Sequence, residues 1–370
     1  MLSSLYPVAL LALFGTVSVT AIASSASAAE ELPVAVAADD PHLAYMGRWD
    51  TRDSAGPRCE WSGASVTIRF HGVAASIRLK DAGSNYFQVV VDGKPGDVLH
   101  PGEGESTHAL AADLPEADHT VELFRRTEAF GGPTQVLGFR LSAGAKLLDP
   151  VKRTRRIEVI GDSISCGYGN EGKSQNEHYE ASTENAWMTY GAITARHFDA
   201  DYTCIAWSGR KLWPDNTVPS IYDLTLPTDV TSRANFDKLP KPDVIVINLA
   251  TNDFGNRIPD EAGWTGAYKD FIKHLRELYP ETMVYIASGP MMSANSPQLT
   301  ALKSYLGKIV TDLREAGDKK IAQIDFAPQN MKNGLGADWH PSVKTHQIMA
   351  ATLQEAISRD LGWKAVEDGK

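Results

Sequence analysis

Two residues of this 370-residue chain have the type and setting for covalent chemistry at an ester. Ser163 follows an apolar run in Val159-Ile160-Gly161-Asp162-Ser163-Ile164-Ser165, and His340 lies far downstream in Asp338-Trp339-His340-Pro341. A serine hydroxyl is a weak nucleophile at neutral pH, so it needs a base within hydrogen-bond reach and donors aimed at the oxyanion that forms. The pairing points to a serine esterase. Pro341 fixes the backbone beside His340. In an extended loop Asp338 and His340 share one side while Trp339 faces the other. The aspartate is then expected to bond Nδ1-H and leave Nε2 free for Ser163. Of the ten histidines, His346 and His178 are the next candidates for the base.

Oxyanion donors are expected after three successive strands: the Ser163 N–H, the Gly209 N–H in Ser208-Gly209-Arg210, and the Asn252 side chain in Ala250-Thr251-Asn252-Asp253. Each has a plainer reading. Asp-Ser after a strand also caps a helix, a loop glycine also serves a turn, and Asn-Asp also makes an Asx turn. Trp207, Trp213 and Trp264 fall in or near these loops and are expected to offer apolar faces to a substrate, with core packing as the alternative. Gly167-Tyr168-Gly169-Asn170-Glu171-Gly172 matches the G-x-G-x-x-G string of a dinucleotide fold. It starts too far past the strand tip, however, and the next strand ends without a ribose-binding acid. Neither H-E-x-x-H nor paired C-x-x-C spacing occurs, so no metal is expected.

The elements that must position these residues change period midway. From about Ala44 to Leu148, short alternating stretches such as Ala64–Phe70, Ala75–Leu79 and Tyr86–Val91 are broken by Gly, Pro and Asp, with Asp92-Gly93 a hairpin signal. This predicts a β-sandwich, of jelly-roll type, over residues 30–150. The basic stretch Lys152-Arg153-Thr154-Arg155-Arg156 reads as a solvated linker. Beyond it, apolar runs at Ile157–Ile160, Tyr202–Ala206, Val244–Leu249, Met283–Ala287 and Ile321–Asp325 alternate with amphipathic stretches containing Tyr268, Phe271, Ile272 and Leu275, and Leu299, Leu302, Leu306 and Ile309. That alternation predicts an α/β domain over 151–370, a doubly wound parallel sheet binding ligands beyond the carboxyl ends of its strands.

Residues 1–29 carry no Lys, Arg, Asp or Glu and end in Ala26-Ser27-Ala28-Ala29, which reads as a secretory signal peptide despite its uncharged start. An uncleaved anchor is the alternative; after cleavage no membrane association is expected, and the protein is secreted. The net charge of −10 disfavours nucleic acid and anionic membrane as partners and suits a neutral polymer. Three cysteines, Cys59, Cys166 and Cys204, allow one disulfide, with Cys166 and Cys204 the nearest pair, or three buried thiols.

Taken in order, Gly161-Asp162-Ser163, Gly209, Asn252-Asp253 and Asp338-Trp339-His340-Pro341 resemble the blocks of the SGNH (GDSL-like) hydrolase superfamily over residues 155–365. The longer string from Gly161 to Glu171, the D-W-H-P block and the preceding β domain resemble carbohydrate esterase family 2. The resemblance implies Ser163 as nucleophile, His340 as base, and an oxyanion hole of the Ser163 amide, the Gly209 amide and the Asn252 side chain. It implies acetylated plant polysaccharides, xylan or glucomannan deacetylated at 6-O, as partner and substrate, with no cofactor. Two positions depart from the superfamily pattern: its G-x-N-D glycine is Ala250, and its acid three residues before the histidine is Ala337. The acid's role passes to Asp338 or to a backbone carbonyl. A general short-chain esterase or lipase on the same scaffold, and a non-catalytic sugar-binding protein, are the competing functions.

Overall fold

The alternating stretches of the first half form antiparallel strands: β1 (Val34–Val36), β2 (Leu43–Met46), β3 (Arg58–Cys59), β4 (Ser65–Gly72), β5 (Ala75–Ala82), β6 (Phe87–Val91), β7 (Lys94–Leu99), β8 (Glu103–Ala111), β9 (Ala117–Arg125), β10 (Thr134–Leu141) and β11 (Lys146–Leu147). The computed structural model describes residues 32–366, so the predicted signal peptide lies outside the described residues. One sheet runs β1-β10-β5-β8 with β3 on β10; the other runs β11-β4-β9-β6-β7 with β2 on β4. Ile68, Phe70, Ile77, Leu79, Val121, Leu123 and Phe139 are buried in one core shared by the two sheets, which is a β-sandwich. Asp92 and Gly93 both take positive φ, 51° and 74°, as a two-residue hairpin between β6 and β7 requires.

The second half is a layered α/β unit: β12 (Arg155–Gly161), α1 (Ser163–Cys166), α2 (Tyr190–His197), β13 (Ala200–Ala206), β14 (Val244–Asn248), α3 (Thr251–Phe254), α4 (Glu261–Leu278), β15 (Met283–Ser288), α5 (Pro297–Glu315), β16 (Ile321–Asp325) and α6 (Val343–Leu361). Its five strands are parallel, in the order β13-β12-β14-β15-β16. Ile157 and Val159 of β12 pack into the core that contains α2 and α6, and Ile160 into the core of α4 and α5. Because β13 and β14 flank β12 on opposite sides, the strand order reverses there and a crevice opens beyond the carboxyl end of β12.

The helices begin and end where the chain chemistry dictates. Ser296 caps α5 by accepting from the Leu299 N–H at 3.2 Å, and Ser342 caps α6 by accepting from the Thr345 N–H at 3.3 Å. Pro280 follows the end of α4. The basic stretch is more than a linker: Arg155 and Arg156 open β12, and Arg153 pairs with Asp199 at 2.8 Å. The halves share side chains. Phe124 of β9 meets Trp187 edge-on at 5.0 Å, and Trp61 lies in the α/β core with its indole N–H on the Leu224 carbonyl. Cys59, Cys166 and Cys204 are buried free thiols, the second of the two arrangements the sequence left open, and no Cys166–Cys204 bridge is formed.

Candidate active site

Ser163 is the first residue of α1, at the crevice over β12. Asp162 is extended and its carboxylate accepts the Ile164 N–H at 3.0 Å, turning the chain from strand to helix within one residue. At Gly161 a side chain would meet the Ser165 Cβ at 2.6 Å, so only glycine lets α1 sit this close to the strand end. Burial pushes the Asp162 carboxyl up to about 7.

His340 reaches the serine from the loop before α6. Its Nε2 is 2.9 Å from the Ser163 Oγ, and Ser163 is only 5% exposed. Its Nδ1 lies 3.1 Å from the Ala337 carbonyl oxygen and 3.1 Å from that of Asp338. Tyr168 covers the imidazole with ring centroids 4.1 Å apart. Desolvation by this burial lowers the His340 pKa below its ordinary value although both carbonyls favour the cation, so the ring is neutral and able to accept a proton.

Asp338 does not contact His340 through its carboxylate, contrary to the triad expectation. Asp338 and Trp339 both take left-handed φ, 48° and 65°, so the loop is not extended and side chains two apart no longer share a side. The carboxylate instead accepts from the Tyr168 hydroxyl at 2.9 Å, the Tyr179 N–H at 2.9 Å and the His178 ring at 3.0 Å. Those bonds hold the turn that presents the Asp338 carbonyl to the base. The other histidine candidates are accounted for: His178 is a partner of Asp338, and His346 is buried, accepting the Tyr190 N–H at 3.3 Å, its pKa driven down to about 3 by desolvation.

The G-x-G-x-x-G string is the seat of this base loop. Gly167 ends α1 in the left-handed region, φ 85°, and the Gly169 carbonyl accepts the Ala337 N–H at 2.9 Å. A side chain on Gly172 would meet that same Ala337 nitrogen at 2.6 Å.

Gly209 follows β13 at φ 75°, and among the described residues its N–H has no acceptor. Asn252 is on α3, after β14; it spends one amide hydrogen on the Arg210 carbonyl at 2.8 Å and keeps one. Asp253 ties the two loops together by accepting the Trp213 N–H at 2.9 Å and the Leu212 N–H at 3.1 Å. Trp264, expected at the substrate, is instead fully buried on α4 and donates its indole N–H to Asp253 at 3.0 Å. Trp213 is half-buried and lines a cavity of about 190 Å³ beside Asn252. Trp207 is half-buried, edge-on to the exposed Phe130 of the β-sandwich, with the Arg210 guanidinium 4.5 Å over its ring. Sequence reasoning gave no part to Asp253 or Tyr168, although both stand inside motifs it singled out.

A serine–histidine pair with its free imidazole nitrogen on peptide carbonyls, above the switch point of a parallel sheet, defines the site as that of a serine ester hydrolase. Two family models match the chain: Carbohydrate esterase 2 N-terminal over residues 45–150 and the GDSL-like Lipase/Acylhydrolase family over 159–348. The chain is 30% identical over 322 residues, 82% of its length and 85% of the relative's, to an acetylxylan esterase / glucomannan deacetylase of Cellvibrio japonicus. It is 40% identical over 331 residues, 88% of its length, to the cellulase/esterase CelE of Acetivibrio thermocellus, and spans 40% of that longer relative. A family two carbohydrate esterase of Clostridium thermocellum, solved in complex with cellohexaose, superposes with a TM-score of 0.83 at 40% identity, covering 87% of this chain and 99% of that one. The chain belongs to the GDSL-like lipase/acylhydrolase family and, within it, to the family two carbohydrate esterases.

Proposed function

We propose that the protein removes O-acetyl groups from plant polysaccharides such as xylan and glucomannan through an acetyl-serine intermediate. The observation that carries this reading is the 2.9 Å contact between Ser163 Oγ and His340 Nε2 with Nδ1-H engaged by peptide carbonyls. Ser163 attacks the acetyl carbonyl as His340 takes its proton. The Ala337 and Asp338 carbonyls stabilise the imidazolium. The tetrahedral oxyanion is met by the Ser163 N–H, the Gly209 N–H and the free hydrogen of the Asn252 amide. His340 then protonates the departing sugar oxygen, leaving acetyl-Ser163. A water, deprotonated by His340, attacks that ester, and acetate leaves as Ser163 regains its proton.

Trp213, which lines the cavity beside Asn252, and Trp207, just after β13, are half-buried and supply aromatic surface for a sugar. A primary 6-O acetyl is the favoured position, because its extra methylene carries the ester farther from the sugar ring into the recess of Ser163. The uncharged, Ala-rich residues 1–29 support export to the polymer. The test is acetate release from acetylated glucomannan and acetylated xylan, with Ser163→Ala beside the wild type. Release that falls by several orders of magnitude in the variant is expected. Cleavage of an aryl acetate with both polymers untouched would replace this reading by a general esterase.

A further inference from the structure

Glu128 belongs to the β-sandwich, after β9, yet its carboxylate ends beneath the oxyanion loop of the α/β half. Its Oε2 accepts the Ser208 N–H at 2.7 Å and its Oε1 takes the Ser208 hydroxyl. Ser208 immediately precedes Gly209. Behind Glu128 lies Glu184, whose Oε2 accepts the Glu128 N–H at 3.2 Å and the Tyr179 hydroxyl at 2.7 Å. The Tyr179 N–H in turn donates to Asp338, whose carbonyl holds His340. One chain of bonds, buried at Glu128 and Glu184 and partly buried at Tyr179 and Asp338, thus runs from the oxyanion loop to the base loop. Nothing in the ester-cleaving steps uses these two carboxyls, and both are fully buried.

We propose that Glu128 is a positioning residue for hydrolysis at Ser163: as a carboxylate it clamps Ser208 by both N–H and hydroxyl, and so fixes the Gly209 N–H on the oxyanion. This rests on the esterase reading above. Burial raises the pKa of both carboxyls; both Glu128 oxygens accept from Ser208 whereas Glu184 Oε1 has no partner among the described residues, so the pair's proton belongs on Glu184 and Glu128 is the carboxylate. The groups facing the pair come from every neighbouring element. They are the Cys166 thiol of α1 at 3.7 Å, Cys204 of β13, Tyr168, Tyr179 and Asp162, Arg126 on the Glu184 carbonyl, and Arg125, the cation that opposes the raised pKa of Glu184. Protonating Glu128 removes one of the two acceptors that Ser208 needs, so turnover falls as pH drops through its titration. A second, lower acid limb belongs to His340.

The experiment is kcat and KM for an aryl acetate from pH 5 to 9, with thermal melting, for wild type, Glu128→Gln, Ser208→Ala and the double variant, each carrying Ser163, with Ser163→Ala as the blank whose rate is subtracted. Glutamine offers one acceptor oxygen to two Ser208 donors. It is expected to lower kcat by about 10- to 100-fold, part of the loss seen when an oxyanion donor is removed, with KM within about 2-fold. It also leaves only the lower acid limb. Ser208→Ala loses less, and the double variant is no worse than Glu128→Gln, because both cut one link. Should Glu128→Gln fail to fold, the kcat–pH profile of Ser208→Ala decides. Ser163-dependent turnover with an unchanged kcat and acid limb in the folded variants overturns the inference alone. No Ser163-dependent turnover in the wild type sinks the esterase reading and this one with it.

Discussion

His340 is oriented by two peptide carbonyls where many serine hydrolases use a carboxylate, and the difference is measurable at one residue. A carbonyl supplies a dipole instead of a full charge, yet it still selects the Nδ1-H tautomer that leaves Nε2 basic. Asp338 acts one bond removed, by holding its own turn through Tyr168 and the Tyr179 N–H. Asparagine keeps an acceptor for the Tyr179 N–H. Asp338→Asn is therefore expected to retain kcat within about 10-fold, whereas loss of a true triad carboxylate costs about 10⁴-fold. A drop of the latter size would put the carboxylate back in the proton relay. The places of Ser163, Gly209 and Asn252 were legible in the sequence because each follows a strand end, where a parallel sheet gathers its chemistry, and that of His340 because Pro341 and the terminal helix follow it. Asp338 and Trp264 were misread for local reasons. Two successive left-handed residues break the period-2 alternation at 338 and 339, and Trp264 lies in the opening turn of α4 with its ring turned into the core.

Helix α1 spans only four residues, too few to be stable alone, so what surrounds it must hold the nucleophile. The Asp162 cap closes one end and left-handed Gly167 the other, and Ile164 and Cys166 are fully buried beneath it. Gly161 sets how close α1 lies to β12. Gly161→Ala drives a methyl against the Ser165 Cβ, and Ser165 is already bonded to the Tyr190 hydroxyl at 2.9 Å, so α1 must lift. Displacing a nucleophile by as little as ~1 Å costs up to about 100-fold in rate, while overpacking costs about 1–3 kcal/mol of stability. The expected result is a kcat loss of about 10-fold or more with a fold that still melts cooperatively, read by kinetics beside thermal melting. Wild-type kcat would mean that α1 shifts as a rigid unit with its base. The five parallel strands were readable as apolar runs, and the long helices as one-sided stripes. The role of the glycines from Gly167 to Gly172 was not, since it depends on contact with Ala337, which sequence neighbours cannot reveal.

Across the whole molecule, the site is built where the two halves meet, and its acids are buried at that junction. Glu128 reaches Ser208 from the sandwich, and Arg126 donates to the Glu184 carbonyl at 3.2 Å; neither contact had a sequence signal, because nothing in period or motif tells which loop of one half meets which of the other. Buried carboxyls tie stability to pH. Asp162 has a folded pKa raised to about 7 from 3.8 by desolvation. Its contribution is therefore fully present below about pH 4 and is lost as pH rises toward 7, by at most about 4 kcal/mol. Surface carboxylates act oppositely: partly exposed Asp229, bonded by Thr231 and Arg52, is held at about 2, so what it adds is lost only as pH falls below its unfolded value. His346, buried neutral and held at about 3, adds stability that grows as pH rises from there to its unfolded value and so opposes Asp162 in the same window; the informative quantity is the melting temperature of an Asp162 variant relative to wild type. Asp162→Asn, which keeps a side-chain oxygen for the Ile164 N–H but cannot ionise, is expected to gain melting temperature relative to wild type as pH rises from about 4 to about 7. A difference between the two melting temperatures that stays constant over that range would show Asp162 charged and solvated in the folded state. Turnover runs the other way, since it needs neutral His340 and ionised Glu128. Asp162 and Glu128 are thus held at least cost in acid, where turnover is switched off, as expected of a site that keeps buried acids for function at the expense of the fold.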